Sequence, residues 1–216
     1  MERKKVLEEL RFEYSRRKDM IEAQLGEFKK IRESADDRKI FEELAYCILT
    51  SAVGPKVGLK SLEAIKDILL AGSAEESESR LKGIHKYPEK AYYIVHTREY
   101  LKREYGFKLR ELVDSFPGPE ERRDFFALNK DIKGIGYTQA SHFLRNIGFS
   151  GYAILDKNVV KSLYDFGIID SPKPPTTGKK YKEIENRMKT LAGELGIGLD
   201  ELDMLLWSLR TGRIPV

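Results

Sequence analysis

One cysteine, one tryptophan and three histidines are all that the 216-residue chain holds of those residue types. A lone Cys47 cannot form an internal disulfide. It sits in the apolar stretch EELAYCILT and reads as a small buried hydrophobe. His85, His96 and His142 have no partner at catalytic or metal spacing, and no Cys/His cluster has zinc or iron–sulfur spacing, so no metal centre is expected. No run approaches the roughly 18 apolar residues of a membrane span. The N-terminus, MERKKVLEELRFEY, is charged from its second residue, unlike a signal peptide. An alternating strand pattern persists nowhere, and there is no repeat or low-complexity block. What remains is an all-α chain with no membrane partner.

What is present supports one large domain or two small lobes. Apolar residues make up 41% of the chain and charged residues 34%, enough for a core under a wet surface. The high charge fraction with little cysteine also fits a heat-adapted intracellular protein. Net charge is only +4, from 39 basic and 35 acidic residues, so bulk charge does not mark a nucleic-acid binder. Its distribution is more telling. Residues 129–161 hold Lys130, Lys133, Arg145, Lys157 and Lys161 against two acids, and residues 171–182 add four lysines and no acid. Such a local excess suits a strip that faces phosphates.

Apolar spacing predicts helices throughout. Residues 1–35 read as helical. Asp36-Asp37 caps a helix over 38–52, and Gly54-Pro55 breaks it before another over 57–70. A polar run, 73–79, leads to a further short helix. Pro88 marks the start of a helix over 89–105, in which Tyr92 and Tyr93 read as core. Gly106 and Pro117-Gly118-Pro119 punctuate the path to a helix over 120–130. Past residue 156, helices are expected over 158–166, 181–195 and 199–209.

The organising stretch is DIKGIGYTQASHFLRNIGFSGYAILD, residues 131–156. Gly134 and Gly136 flank Ile135 in a tight hairpin, where glycines allow positive φ and let amides point at an anion. Ala140, Phe143, Leu144 and Ile147 then fall on one helical stripe that Gly148 stops. Helix, G-I-G hairpin, helix over about 120–148 is the layout of a helix-hairpin-helix unit, which grips a DNA phosphate through amides and a helix N-terminus. Twenty residues after Gly136 comes Asp156, behind the apolar run Tyr152-Ala153-Ile154-Leu155. As a residue type, Asp156 also suits the N-cap of the helix that follows.

KGIGY, ASHFLRN and ILDK, with ELAYCILT, YPEKAYYIV and LLWSL, resemble the helix-hairpin-helix DNA glycosylases, within them the archaeal-type 8-oxoguanine DNA glycosylase/lyase group. The resemblance spans the chain from about residue 40 onward. It implies two interleaved helical lobes making one unit over 1–216, with the hairpin and Asp156 lining the cleft between them. It implies double-stranded DNA containing a damaged base as partner, a monomer, and a cytoplasmic, prokaryotic-type setting. Asp156 would be the catalytic carboxylate. Lys133, Gly134, Ile135, Gly136, Tyr137 and Lys157 would face DNA, and Trp207 and His142 are candidates for the base pocket. No cofactor is required, although such hairpins often hold a monovalent cation (K+ or Na+) on backbone carbonyls.

Three departures bear on chemistry. Members of the group that also cut the backbone carry a lysine two positions after the second hairpin glycine, and here that position is Thr138, which cannot form a Schiff base. The chain ends Arg213-Ile214-Pro215-Val216 where close look-alikes end in lysine. Ser51-Ala52-Val53 lacks the Asn or Gln that many relatives use to fill the hole left by a flipped base. Together these point to a glycosylase that removes a damaged purine such as hypoxanthine or an alkylated adenine, without lyase activity. The alternatives are a bifunctional 8-oxoguanine glycosylase/lyase with its amine elsewhere, and a non-catalytic protein that binds damaged DNA.

Overall fold

The computed structural model describes residues 3–215, and among them every regular element is a helix. None is long and apolar enough to cross a membrane. The chain divides into two compact units, residues 33–147 and residues 1–32 with 148–216, so that the first is an insertion in the sequence of the second. The outer unit opens with α1 (Arg3–Ser15) and α2 (Lys18–Ser34). The inserted unit carries α3 (Asp37–Thr50), α4 (Pro55–Ile65), α5 (Ala74–Leu81), α6 (Glu89–Tyr105), α7 (Leu109–Asp114), α8 (Pro119–Leu128) and α9 (Tyr137–Asn146). The chain closes with α10 (Lys157–Asp165), α11 (Gly178–Leu195) and α12 (Leu199–Thr211).

The inserted unit is built on α3. Asp36, in extended backbone, accepts from the Lys39 amide at 2.8 Å and starts the helix, a cap worth roughly 1 kcal/mol. Phe41, Leu44, Ala45, Ile48 and Leu49 are fully buried, against α4, α6, α7 and α9. Cys47 lies among them, and burial pushes its thiol pKa well above the usual value, as suits an inert hydrophobe. Gly58 lets α4 press on α3, because a Cβ there would collide with the Thr50 methyl.

Three expectations about this unit change. The polar run 73–79 is itself helical: Ser73 accepts from the Glu76 amide at 3.1 Å, and Glu75 and Glu76 occupy the first turn of α5. Acids there suit the positive end of the helix, so a cap and a dipole start the expected short helix earlier than apolar spacing indicates. The helix expected over 57–70 stops at Ile65 and continues as tight turns to residue 72. The short α7, whose Leu109, Leu112 and Val113 are buried, falls where only glycine and proline punctuation was read.

In the outer unit the helical run expected over 1–35 is broken between Ser15 and Lys18, where the Ser15 hydroxyl donates to the Phe12 carbonyl at 2.8 Å. α12 is the centre, with Leu202, Met204, Leu205 and Leu206 fully buried, and α10 and α11 pack on it. The apolar residues Tyr152, Ala153 and Leu155 are fully buried in an extended segment that belongs to no sheet. Buried amides must find acceptors, and carboxylates from the neighbouring helices supply them. Asp200 accepts from Gly151 and Tyr152, Glu185 from Ala153, and Asp203 from Ile154, the last at 2.7 Å. Tyr181 closes the set, accepting from the Leu155 amide and donating to the Ala153 carbonyl. Bonds to ionised acceptors contribute about 1.5–3 kcal/mol each, so this cradle fixes the chain just ahead of residue 156.

Candidate active site

Asp156 ends that cradled segment and caps α10. Its Oδ1 accepts from the Asn158 amide at 2.8 Å and the Val159 amide at 2.9 Å. Its Oδ2 accepts from the Trp207 indole Nε1 at 3.1 Å and from the Asn158 side-chain amide at 3.3 Å. Four donors therefore converge on one half-buried carboxylate. A carboxylate has about four lone-pair sites, so this one is saturated as well as immobilised. The Arg213 guanidinium lies over the Trp207 ring, 5.9 Å from its centroid, placing a cation one ring away from the acid. Lys157, the first residue of α10, is exposed. Capping thus holds the candidate acid in one position.

In the inserted unit the hairpin joins α8 to α9 through residues 129–136. Gly134 has φ +73°. A Cβ on it would meet Tyr93 Cδ2 at 2.8 Å and Ile48 Cγ2 at 3.3 Å, so glycine is required twice over, by dihedral and by space. Ile135 is buried and plugs the turn into the unit. The Lys133 amide donates to Thr97 Oγ1 of α6 at 2.9 Å, and Asp131 meets His96 Nε2 at 3.2 Å. Among the described residues, the amides of Gly134 and Gly136 make no hydrogen bond within the chain. Gly136 is the N-cap of α9, Tyr137 and Thr138 are its first two residues, and the Tyr137 ring lies 5.5 Å from the Arg123 guanidinium. Thr138 is half-buried.

His142 is half-buried edge-on to Tyr46, with ring centroids 6.0 Å apart. Burial first, and the Arg145 charge second, push its pKa down to about 3, so the ring is neutral. Burial likewise pushes the Tyr46 phenol up to about 12. Tyr92, read as core, is 52% exposed and hydrogen-bonds His96 at 3.3 Å. The unit division separates the candidates: Asp156, Lys157 and Trp207 belong to the outer unit, and residues 133–138 and His142 to the inserted one. Among the described residues no group of three or more His, Cys, Asp or Glu side chains could hold a metal ion.

Residues 21–197 match the family described as 8-oxoguanine DNA glycosylase. The chain belongs to that family. A relative from Methanocaldococcus jannaschii, named 8-oxoguanine DNA glycosylase/AP lyase, is 36% identical over 212 residues, covering 97% of each chain. One of the same name from Korarchaeum cryptofilum is 34% identical over 207 residues, covering 95% of this chain and 94% of its own. The crystal structure of the Methanocaldococcus jannaschii 8-oxoguanine glycosylase/lyase in complex with 15mer DNA containing 8-oxoguanine superposes with a TM-score of 0.85 over 98% of both chains. This glycosylase is thus a helix-hairpin-helix, all-α DNA-repair protein.

Two features around the candidate residues escaped the sequence reading. The Trp207–Asp156 bond joins residues 51 apart and left no local signal. Lys90 left one: it shares a helical stripe with Ile94, Thr97 and Leu101 that the structure buries, and a cation on such a stripe is unusual.

Proposed function

We propose that this glycosylase removes 8-oxoguanine from DNA by hydrolysing its N-glycosidic bond, with Asp156 beside the sugar, and that it leaves an abasic site uncut. The observation that carries this reading is the saturated Asp156 carboxylate together with Thr138 at the start of α9. Breaking a base–sugar bond develops positive charge on the deoxyribose, as in other glycoside cleavages. A fixed, ionised carboxylate stabilises that charge without having to reorganise. With all four lone pairs engaged, Asp156 serves first as an electrostatic group. Release of the longest bond, from the Asn158 side chain at 3.3 Å, frees one lone pair to orient a water. A base inside a duplex cannot be reached, so the nucleotide is flipped out, while the hairpin amides hold the backbone. A threonine hydroxyl cannot condense with C1′ to a Schiff base, so the strand-cutting branch has no amine at residue 138.

Two other outcomes have specific support. The relatives' shared name includes AP lyase, which favours a second amine doing that work. Hypoxanthine or an alkylated adenine as the excised base is favoured by Ser51-Ala52-Val53, which lacks an Asn or Gln; Val216 lies outside the described residues. Duplexes carrying 8-oxoguanine, hypoxanthine or ethenoadenine, assayed with and without alkali, separate these readings. Breaks only after alkali, on 8-oxoguanine alone, are the expected result. Breaks without alkali, with a borohydride-trapped adduct, would establish the lyase. Tight binding with no release from any duplex would leave a damage-binding protein.

A further inference from the structure

α6 carries a cation that the chemistry above does not use. Lys90 is only 5% exposed. Its Nζ lies 5.4 Å from the Tyr93 ring centroid and 3.5 Å from the point a Cβ on Gly134 would occupy. Arg98, two turns along the same helix and equally buried, donates to the Leu69 carbonyl at 3.1 Å and pairs with Glu99. Lys90 has no such partner: among the described residues no acceptor bonds its ammonium and no carboxylate lies within ion-pair distance. Burial accordingly holds its pKa below the usual lysine value, opposed only by the charge of neighbouring Glu89. The stem is buried, while its ammonium is not among the fully enclosed polar atoms that lack a partner, so an anion from outside can reach it.

The place where that anion would come is set by the hairpin. Gly134 and Gly136 offer amides with no acceptor among the described residues, and the Lys90 ammonium lies beside Gly134. Amide dipoles orient an oxyanion, and a charge next to them neutralises it. We propose that Lys90 is the cationic member of the hairpin's anion site and pairs directly with the DNA phosphate seated on the Gly134–Gly136 turn. This rests on the DNA-binding reading above and adds a residue that the G-I-G pattern does not contain. A lysine stem that merely packs against Tyr93 while its head reaches water is the competing account.

Salt dependence distinguishes the two, because packing carries no counterions. Full-length wild type, Lys90→Met and Lys90→Arg are titrated into a fluorescein-labelled undamaged duplex over a series of KCl concentrations. Each phosphate neutralised contributes about 0.9 to the slope of log K against log salt. Lys90→Met should lower that slope by about 0.9, and Lys90→Arg should keep it. Should Lys90→Met not fold, Lys90→Gln, polar and neutral, is measured in the same way. A variant that binds more weakly at every salt concentration with an unchanged slope overturns the proposal, as does unchanged affinity. Failure of the wild type itself to bind duplex overturns the DNA reading and this proposal with it, a different result from an unchanged slope.

Discussion

The Trp207 indole donates to Asp156 Oδ2 at 3.1 Å, joining α12 to the cap of α10. A tryptophan in a glycosylase invites the role of a stacking wall, yet here its nitrogen is committed to the carboxylate. Trp207→Phe keeps an aromatic face and deletes only the donor. Losing a hydrogen bond to a charged group corresponds to about 1.5–3 kcal/mol. Excision should therefore slow by about tenfold or more, while affinity for undamaged duplex, measured by anisotropy, stays as in the wild type. A large loss of damaged-base affinity with an unchanged excision rate would instead return Trp207 to the stacking role.

On the proposed reading, Asp156 carries two roles that one substitution can separate. Asparagine is nearly as good an N-cap as aspartate, so Asp156→Asn should leave the thermal midpoint close to wild type. Its charge is gone, and removal of a preorganised electrostatic group typically costs about 100- to 1000-fold in rate. Single-turnover base release should fall by that much. A folded variant retaining wild-type release would remove Asp156 from the chemistry.

On the proposed reading, Thr138 sets which product is made. Thr138→Lys places an amine on the second residue of α9, where the helix N-terminus helps keep it deprotonated. The variant should give strand breaks without alkali and an adduct trapped by borohydride, neither of which the wild type should show. If both proteins trap equally, the amine lies elsewhere in the chain.

His142 makes stability depend on pH. Its pKa is held near 3 in the fold and returns to about 6.5 when unfolded. The unfolded chain therefore binds more protons between these values, and the histidine's contribution to stability is lost as pH falls below about 6.5. At pH 5 the loss has a ceiling of about 2 kcal/mol. The ring keeps some exposed surface, so the measured loss should fall below that ceiling. His142→Phe retains the edge contact to Tyr46 and should flatten the urea midpoint between pH 7 and pH 5 relative to wild type. Parallel curves would show that His142 titrates normally.

The legible parts of this protein were those governed by a few adjacent residues. Gly134 announces a turn because no other residue takes φ +73° in so little space. The cap at Asp36 and the stripe of α3 follow from side chains three or four residues apart. The start of α5 was placed too late for the opposite reason: its first turns are polar, and Ser73 with two acids supplies what apolar spacing does not.

The sequence by itself determined an all-helical chain, a helix-hairpin-helix unit, an aspartate able to cap α10 and the absence of an amine at residue 138. All of these depend on backbone preferences and on hydrogen bonds that close within one turn. Tertiary structure alone decided what surrounds them. Asp200, Glu185 and Asp203 reach 32 to 49 residues back to hold the segment before Asp156, and Trp207 reaches 51 to hold Asp156 itself. It also set Lys90 of α6 beside Gly134. The physical reason is range: caps and glycine turns act between chain neighbours, whereas the position of a distant donor or cation depends on how helices pack.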